Sequence, residues 1–213
     1  YEPKKILETG TWNSGRAIEM SLAAFDRSDA VHYIGYDLFE DATSAIDKEE
    51  FNVKPHNTQA AVVKRLDEFA EYVKDNNNKT FTYELHKGNV RDVLTKDIPD
   101  DIDIALIGSG NSEQTVAHEF DMLKSVPIVL MDHYFTKDEA EELPPEKYQG
   151  VNKVFDKIET NKVQEGFEDE EGWTNFDQES TNRKHILPSS DRVVNGGVTH
   201  LVVVLTNNDV KDI

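Results

Sequence analysis

The sequence predicts an α/β fold: a doubly wound, mostly parallel seven-stranded sheet closed by a C-terminal antiparallel hairpin, with residues 1–213 forming one domain. Three observations predict it. Apolar runs of strand length alternate with stretches of helical spacing from Lys5 to Ile158, and that alternation winds strands into a parallel sheet. Two further apolar runs flank Asn195-Gly196-Gly197, a hairpin signal. A chain of 213 residues suits one core of this kind and is short for two.

The elements follow in order. Lys5-Ile6-Leu7-Glu8 is a short apolar strand, Thr9-Gly10-Thr11-Trp12-Asn13-Ser14-Gly15 a glycine turn, and Arg16 to Phe25 a helix with Ala17, Ile18, Leu22 and Phe25 on its apolar face. A second strand, His32 to Tyr36, ends at Asp37, and residues 38–57 are polar enough for a loop or a mobile cover. Ala61, Val62, Leu66, Phe69 and Val73 set a helix over 58–75, ended by Asn76-Asn77-Asn78. Strand three is Phe81 to Leu85, followed by Lys87-Gly88-Asn89-Val90 and a short helix from Arg91 to Leu94. Strand four, Ile102 to Ile107, is closed by Gly108-Ser109-Gly110-Asn111, and a helix spans about Ser112 to Lys124. Strand five, Pro127 to Met131, runs into Asp132-His133-Tyr134-Phe135, and Pro144-Pro145 precedes a helix near Val151 to Ile158. Residues 159–183, with the run Glu168-Asp169-Glu170-Glu171, read as a solvated insertion loop, before strands near His185 to Val194 and His200 to Leu205.

Composition removes several function classes. Acidic residues number 42 against 23 basic, a net charge of −19, so nucleic acid is not an expected partner. No apolar run reaches membrane-spanning length, and no membrane partner is expected. Without cysteine there is no disulfide, no thiolate metal site and no thiol nucleophile. No secretory or lipidation signal is present, which points to a cytoplasmic location, although the chain opens at Tyr1 and enters a strand at once, leaving room for a segment upstream.

In a doubly wound sheet the ligand sits beyond the carboxyl ends of the strands. Those ends carry Glu8 with the Gly10 turn, Asp37, Asn89-Val90, Gly108 to Asn111, and Asp132-His133. A glycine turn lets backbone approach a ligand, and Glu8 can accept from amides or attract a cationic amino acid group. Asp37 suits a ribose diol, but a dinucleotide fold would also place an acid there. The turn separates the two: Trp12 stands where a pyrophosphate site needs its middle glycine, and an acid precedes it. A ligand with an amino acid tail fits better.

Ile6-Leu7-Glu8-Thr9-Gly10-Thr11-Trp12-Asn13 resembles the first motif of class I S-adenosylmethionine-dependent methyltransferases, in which an acid and a glycine turn hold the methionine part of the cofactor. Tyr33-Ile34-Gly35-Tyr36-Asp37 resembles their second motif, which implies that Asp37 holds the ribose, and Gly88-Asn89-Val90 falls where that family contacts adenine. The resemblance spans Lys5 to Leu205 and includes the closing antiparallel pair. It implies S-adenosyl-L-methionine as cofactor, held by Glu8, Gly10, Thr11, Trp12, Asp37, Leu38, Asn89, Val90 and Gly108. Within the family, the Gly-Thr-Trp-Asn turn, the Gly-Ser-Gly-Asn-Ser loop and Gly150-Val151-Asn152-Lys153-Val154 look most like small-molecule O-methyltransferases related to macrocin and cephalosporin-hydroxylase proteins. That implies O-methylation of a small molecule or sugar. The subgroup carries an acid and a His after strand four, for a metal and a base, where this chain has Gly108 to Asn111, so no metal is expected; Ser14 stands where a glycine is common.

Methyl transfer is an in-line displacement, and a base is needed only if the nucleophile must lose a proton. His133, beside Asp132, is the candidate: imidazole titrates near neutrality and the carboxylate can orient it. The alternative is a turn histidine bonded to backbone next to a capping Asp132. Trp12 is either a wall of the cofactor pocket or packing under the first helix, while His86 and His118 show no partner pattern. A non-catalytic S-adenosylmethionine- or nucleotide-binding module of the same fold is the competing class, and protein methylation stays open. A nicotinamide oxidoreductase would need the missing glycine and a Tyr and Lys pair, and a DNA base methylase a motif absent after strand four.

Overall fold

A computed structural model describes residues 2–95, 98–135, 150–159, 182–187, 193–194, 197–198 and 200–206. Seven strands form one sheet in the order β3-β2-β1-β4-β5-β9-β6. Its parallel part comprises β1 (Lys5–Thr9), β2 (Ala30–Asp37), β3 (Thr80–Lys87), β4 (Ile104–Ile107) and β5 (Ile128–Tyr134), and β6 (Arg183–Leu187) and β9 (His200–Leu205) close it in antiparallel register. The chain therefore winds outward from β1 in one direction, returns to β4 and winds the other way. The crevice between β1 and β4 is the switch point at which such sheets bind ligands.

Strands covered on both faces need apolar residues at successive positions, and Ile6 and Leu7 show the division. Ile6 faces a core shared with α1 (Gly15–Phe25) and α3 (Gln59–Asn77), through Ala17, Phe25, Val62, Leu66 and Phe69. Leu7 faces a core shared with α4 (Val90–Val93), α5 (Glu113–Leu123) and α6 (Gly150–Lys157), through Val90, Val116, Leu123, Val154 and Phe155. Thr58, Asn89 and Ser112 start α3, α4 and α5 by accepting the amides of Ala61, Arg91 and Thr115 on their side-chain oxygens. Asn78, in the left-handed region at φ 53°, ends α3.

Four expectations change. Leu22 is exposed and Ser21 and Ala24 are buried in its place, because α1 presents a face rotated by one residue toward the sheet; Ala61 is likewise outside the buried face of α3. Strand four begins at Ile104, since Asp103 turns its carboxylate to the amides of Lys4 and Lys5. The strand expected over His185 to Val194 is interrupted: Arg183–Leu187 joins the sheet, while β7 (Val193–Val194) and β8 (Gly197–Val198) form a separate two-stranded ribbon. The fourth change concerns residues 38–57, which are folded. They hold a 3-10 turn at Phe39–Asp41 and a six-residue helix α2 (Ser44–Glu49) capped by Thr43. Phe39, fully buried, joins the core of α1 and α3. The loops expected at 136–149 and 160–181, and the turn residues 195–196, lie outside the described residues. Among the described residues no helix is long and apolar enough to cross a membrane.

Removing a buried aromatic ring leaves a cavity as well as lost transfer energy. Phe39→Ala is expected to lower the unfolding free energy by about 3–5 kcal/mol in urea titrations. A loss under about 1 kcal/mol would mean that this segment lies on the surface and not in the core.

Candidate functional site

The carboxyl ends of β1, β2, β3, β4 and β5 open into a cleft of about 410 Å³, roofed by residues of the 38–57 segment, here called the strap. It is lined by Glu8, Gly10, Thr11, Trp12, Asp37, Leu38, Asn89, Val90, Gly108 and His133. Sequence reasoning had chosen each of these. Asp132 alone among the chosen residues is not on the lining: it is buried behind His133 and paired with Arg16.

The floor is built where β1 and β4 end side by side. Gly10 has φ 81°, and a Cβ there would lie 2.4 Å from the carbonyl oxygen of Gly108, so only glycine fits on both counts. Its amide donates to the carbonyl of Tyr36 at 2.7 Å, tying the turn to β2. Ser14, the position of the expected glycine, adopts φ 62°, which explains why glycine suits it. Trp12 has φ 47°; its amide donates to Asp37 Oδ2 at 2.7 Å and its indole Nε1 to the carbonyl of Pro55 at 2.9 Å. Trp12 lines the cleft, half-exposed and braced by the strap, with Lys54 Nζ 5.4 Å from the ring centre.

Asp37 does two jobs at once. Oδ2 holds the Trp12 amide while Oδ1 accepts from the amide of Phe39 at 2.7 Å, so one carboxylate joins the turn to the strap. Each oxygen keeps a further lone pair. Asn89 directs its side-chain oxygen to the Arg91 amide, and Val90 supplies an apolar wall.

Burial raises the pKa of two acids near the floor. Glu8 accepts from the Tyr33 hydroxyl at 2.6 Å, and Tyr33 is in turn 3.0 Å from Thr11 Oγ1. Burial dominates and raises the Glu8 pKa to about 8, against the opposing Tyr33 hydrogen bond and the charge of Arg16. Glu119 on α5, also fully buried, is raised to about 7 by the same cause; Ser109 Oγ donates to its Oε1 at 2.5 Å, and among the described residues its Oε2 has no hydrogen-bond partner.

The β5 end carries the candidate base. The register with β9 shifts between Met131 and Tyr134, and His133 adopts φ 68° within that irregularity, the kind of bulge that re-aims a side chain. His133 Nδ1 is 3.1 Å from Asn111 Oδ1, and Nε2 is 3.4 Å from Asp132 Oδ2. Burial lowers the His133 pKa, opposed by Asp132 and assisted by Lys54 and Arg16. The carboxylate expected to orient the ring is thus the more distant partner, and Asn111 is the nearer.

Comparison with known proteins adds to this geometry. No family model and no curated protein matches the chain. It is similar in structure to cofactor-bound Rv0187 from MTB, at TM-score 0.59 and 11% identity, over 96% of this chain and 73% of that one. It is also similar to the SAH-bound Podospora anserina methyltransferase PaMTH1, at TM-score 0.51 and 14% identity, over 97% and 73% of the two chains. A third is an rRNA methylase from Streptococcus thermophilus, at TM-score 0.50 and 9% identity, over 96% and 88%. The fold is that of the Rossmann-like methyltransferases. At these identities the likeness is one of fold.

Several residues of the cleft were not legible in the sequence. Arg16 bonds Asp132 across the floor. Glu50, from the strap, is buried at the start of α5. The strap is held besides by Arg91 on Glu49, at 2.7 Å, and by Lys87 on Glu40 and Asp41, at 2.7 and 2.8 Å. A charge in a polar loop carries no sequence signal for such a partner. Among the described residues no group of three or more His, Asp or Glu is placed to hold a metal ion.

A carboxyl whose folded pKa lies above its unfolded value makes the folded state bind the extra proton, so its stabilisation is complete below about pH 4.5 and is lost as pH rises through the folded value. For Glu119 that window closes near pH 7. Between pH 5.5 and 8.5 its share of the lost stability is expected to be about 2 kcal/mol. Urea titrations should show Glu119→Gln flattening the wild-type decline over this range; an unchanged slope would show that Glu119 titrates normally.

Proposed function

We propose that the chain is an S-adenosylmethionine-dependent methyltransferase acting on an oxygen of a small molecule or sugar. The observation that carries the reading is Glu8. A carboxyl held neutral by burial, under a glycine turn, gains most from a ligand that brings positive charge. The ammonium group of a methionyl tail is such a ligand, and a pyrophosphate is the opposite.

The residues present fit that cofactor. Glu8 would hold the methionyl ammonium, Gly10 offers close backbone approach, and the remaining lone pairs of Asp37 suit a ribose diol. Asn89, Val90, Leu38 and Trp12 supply a polar edge and apolar walls for a purine. When bound, S-adenosylmethionine supplies a methyl group activated on a sulfonium. The chain then has to hold the acceptor in line and take its proton. His133, neutral through burial and set at the cleft, serves as that base, and a proton taken on Nε2 arrives 3.4 Å from Asp132 Oδ2. Arg16 holds Asp132 in place through their ion pair.

The acceptor is read as small because a net charge of −19 repels polyanions. The Streptococcus thermophilus neighbour acts on rRNA by its name, and a nucleic acid acceptor is the second reading on that ground. Both the small-molecule reading and the subgroup resemblance rest on the sequence.

Calorimetry at pH 7 in buffers of different ionisation heat tests the cofactor. Binding of S-adenosylmethionine is expected to release most of one proton, as Glu8 ionises beside the incoming cation, and Glu8→Gln should abolish the release. Binding of a nicotinamide dinucleotide with no response to S-adenosylmethionine would sink the proposal. Transfer of a labelled methyl group into a small-molecule extract, and not into RNA, separates the two acceptor readings; binding without any transfer would leave a cofactor-binding module.

A further inference from the structure

Glu50 was not singled out in the sequence and Asn111 only as the end of the loop after strand four, yet they connect the strap to the candidate base. Glu50 is buried at the start of α5. Its Oε2 accepts the amides of Asn111 and Ser112, each at 3.0 Å, and its Oε1 accepts the hydroxyls of Ser112 at 3.0 Å and Thr115 at 2.5 Å. Gly110 makes the room: a Cβ there would stand 2.4 Å from Glu50 Oε2. The backbone carbonyl of Glu50 accepts from Asn111 Nδ2 at 2.9 Å.

That last bond fixes more than the strap. A carbonyl can only accept, so the amide nitrogen of Asn111 must face Glu50 and the amide oxygen must face the other way. The other way is His133, whose Nδ1 lies 3.1 Å from Asn111 Oδ1. An amide oxygen can only accept as well, so Nδ1 carries the proton and Nε2 of the neutral ring does not.

We infer that the docked strap sets the tautomer of His133: Glu50 turns the Asn111 amide, the amide oxygen holds Nδ1–H, and Nε2 is left as the basic atom. This rests on the role given to His133 above. Asn111 and Glu50 are positioning residues, acting through the imidazole. They work against a local bias, because Asp132 Oδ2, 3.4 Å from Nε2, draws a proton to that side of the ring. With the strap undocked, the Asn111 amide loses its anchor and the Nε2–H form is favoured, in which the ring offers no base there. The base is therefore prepared only when the cleft is roofed, and water has the least access to the reacting groups at that moment.

The test is a long-range proton–nitrogen correlation spectrum of the full chain labelled with nitrogen-15 histidine, with the His133 signals identified by their loss in His133→Asn. The wild type is expected to show the Nδ1–H pattern at neutral pH. Asn111→Leu removes the acceptor, and Gly110→Ala evicts Glu50 while leaving every polar group in the chain. Both are expected to move His133 toward the Nε2–H pattern, with far-ultraviolet circular dichroism unchanged. A wild-type spectrum in the Nε2–H form overturns the inference without needing a folded variant. A wild-type Nδ1–H form that persists in Gly110→Ala overturns the link to the strap. In methyl transfer to the labelled small-molecule fraction, Asn111→Leu should lower kcat at least about 10-fold with KM for S-adenosylmethionine little changed. An Nδ1–H spectrum with no transfer at all would refute the methyltransferase reading and leave the tautomer assignment standing.

Discussion

One carboxylate, Glu50, organises the edge of the sheet at which the cleft opens. It is carried by a polar segment and removed from water, a costly position for a charge unless its lone pairs are filled. Four donors at the first turn of α5 fill them, two backbone amides and two hydroxyls, at the end of a helix where the peptide dipoles favour an anion. Without that contact the strap would lose its attachment to α5, Asn111 would lose its orientation, and the roof made by Phe51, Val53 and Lys54 would hang on the remaining strap contacts.

The cleft sets two cations among its acids. The sequence as a whole is strongly acidic, and Glu19, Asp37 and Glu50 line the cleft beside Arg16 and Lys54, while burial raises the pKa of Glu8 to about 8 and that of Glu119 to about 7. Asp132 is matched by Arg16. Glu8 in such a cleft is poised to ionise beside a cation, because the energy that keeps it neutral is the loss of hydration, and a positive group restores what water no longer supplies. That property links the buried Tyr33–Glu8 pair to a ligand with an ammonium tail more directly than any sequence motif does.

Backbone strain gathers at the same place. Of the six non-glycine residues with positive φ among the described residues, Trp12, Ser14, Phe39, Phe51 and His133 belong to the turn, the strap or the β5 bulge, and Asn78 alone is a helix end. Left-handed backbone at residues with bulky side chains costs on the order of 1–2 kcal/mol each, and it persists where surrounding contacts over-determine it. Here those contacts are named: Asp37 for Trp12 and Phe39, Glu50 beside Phe51, and Asn111 for His133.

The sequence by itself determined the winding of the sheet and the floor of the cleft. Apolar runs and helical periods are local properties of the chain, and a glycine turn or a strand-ending acid has its position dictated by the strand it follows; Gly10, Asp37, Asn89 and Gly108 were legible for that reason. Only the tertiary structure decided the rest. Whether residues 38–57 cover the cleft depends on Phe39 finding a core and Glu50 finding α5, contacts that span 61 residues or more in the second case. The partner of Asp132 is Arg16, 116 positions away, and the nearer partner of His133 is Asn111, not its neighbour in sequence. A charged side chain declares its charge in the sequence, but its protonation and its partner are set by burial and distance, which exist only once the chain has closed on itself.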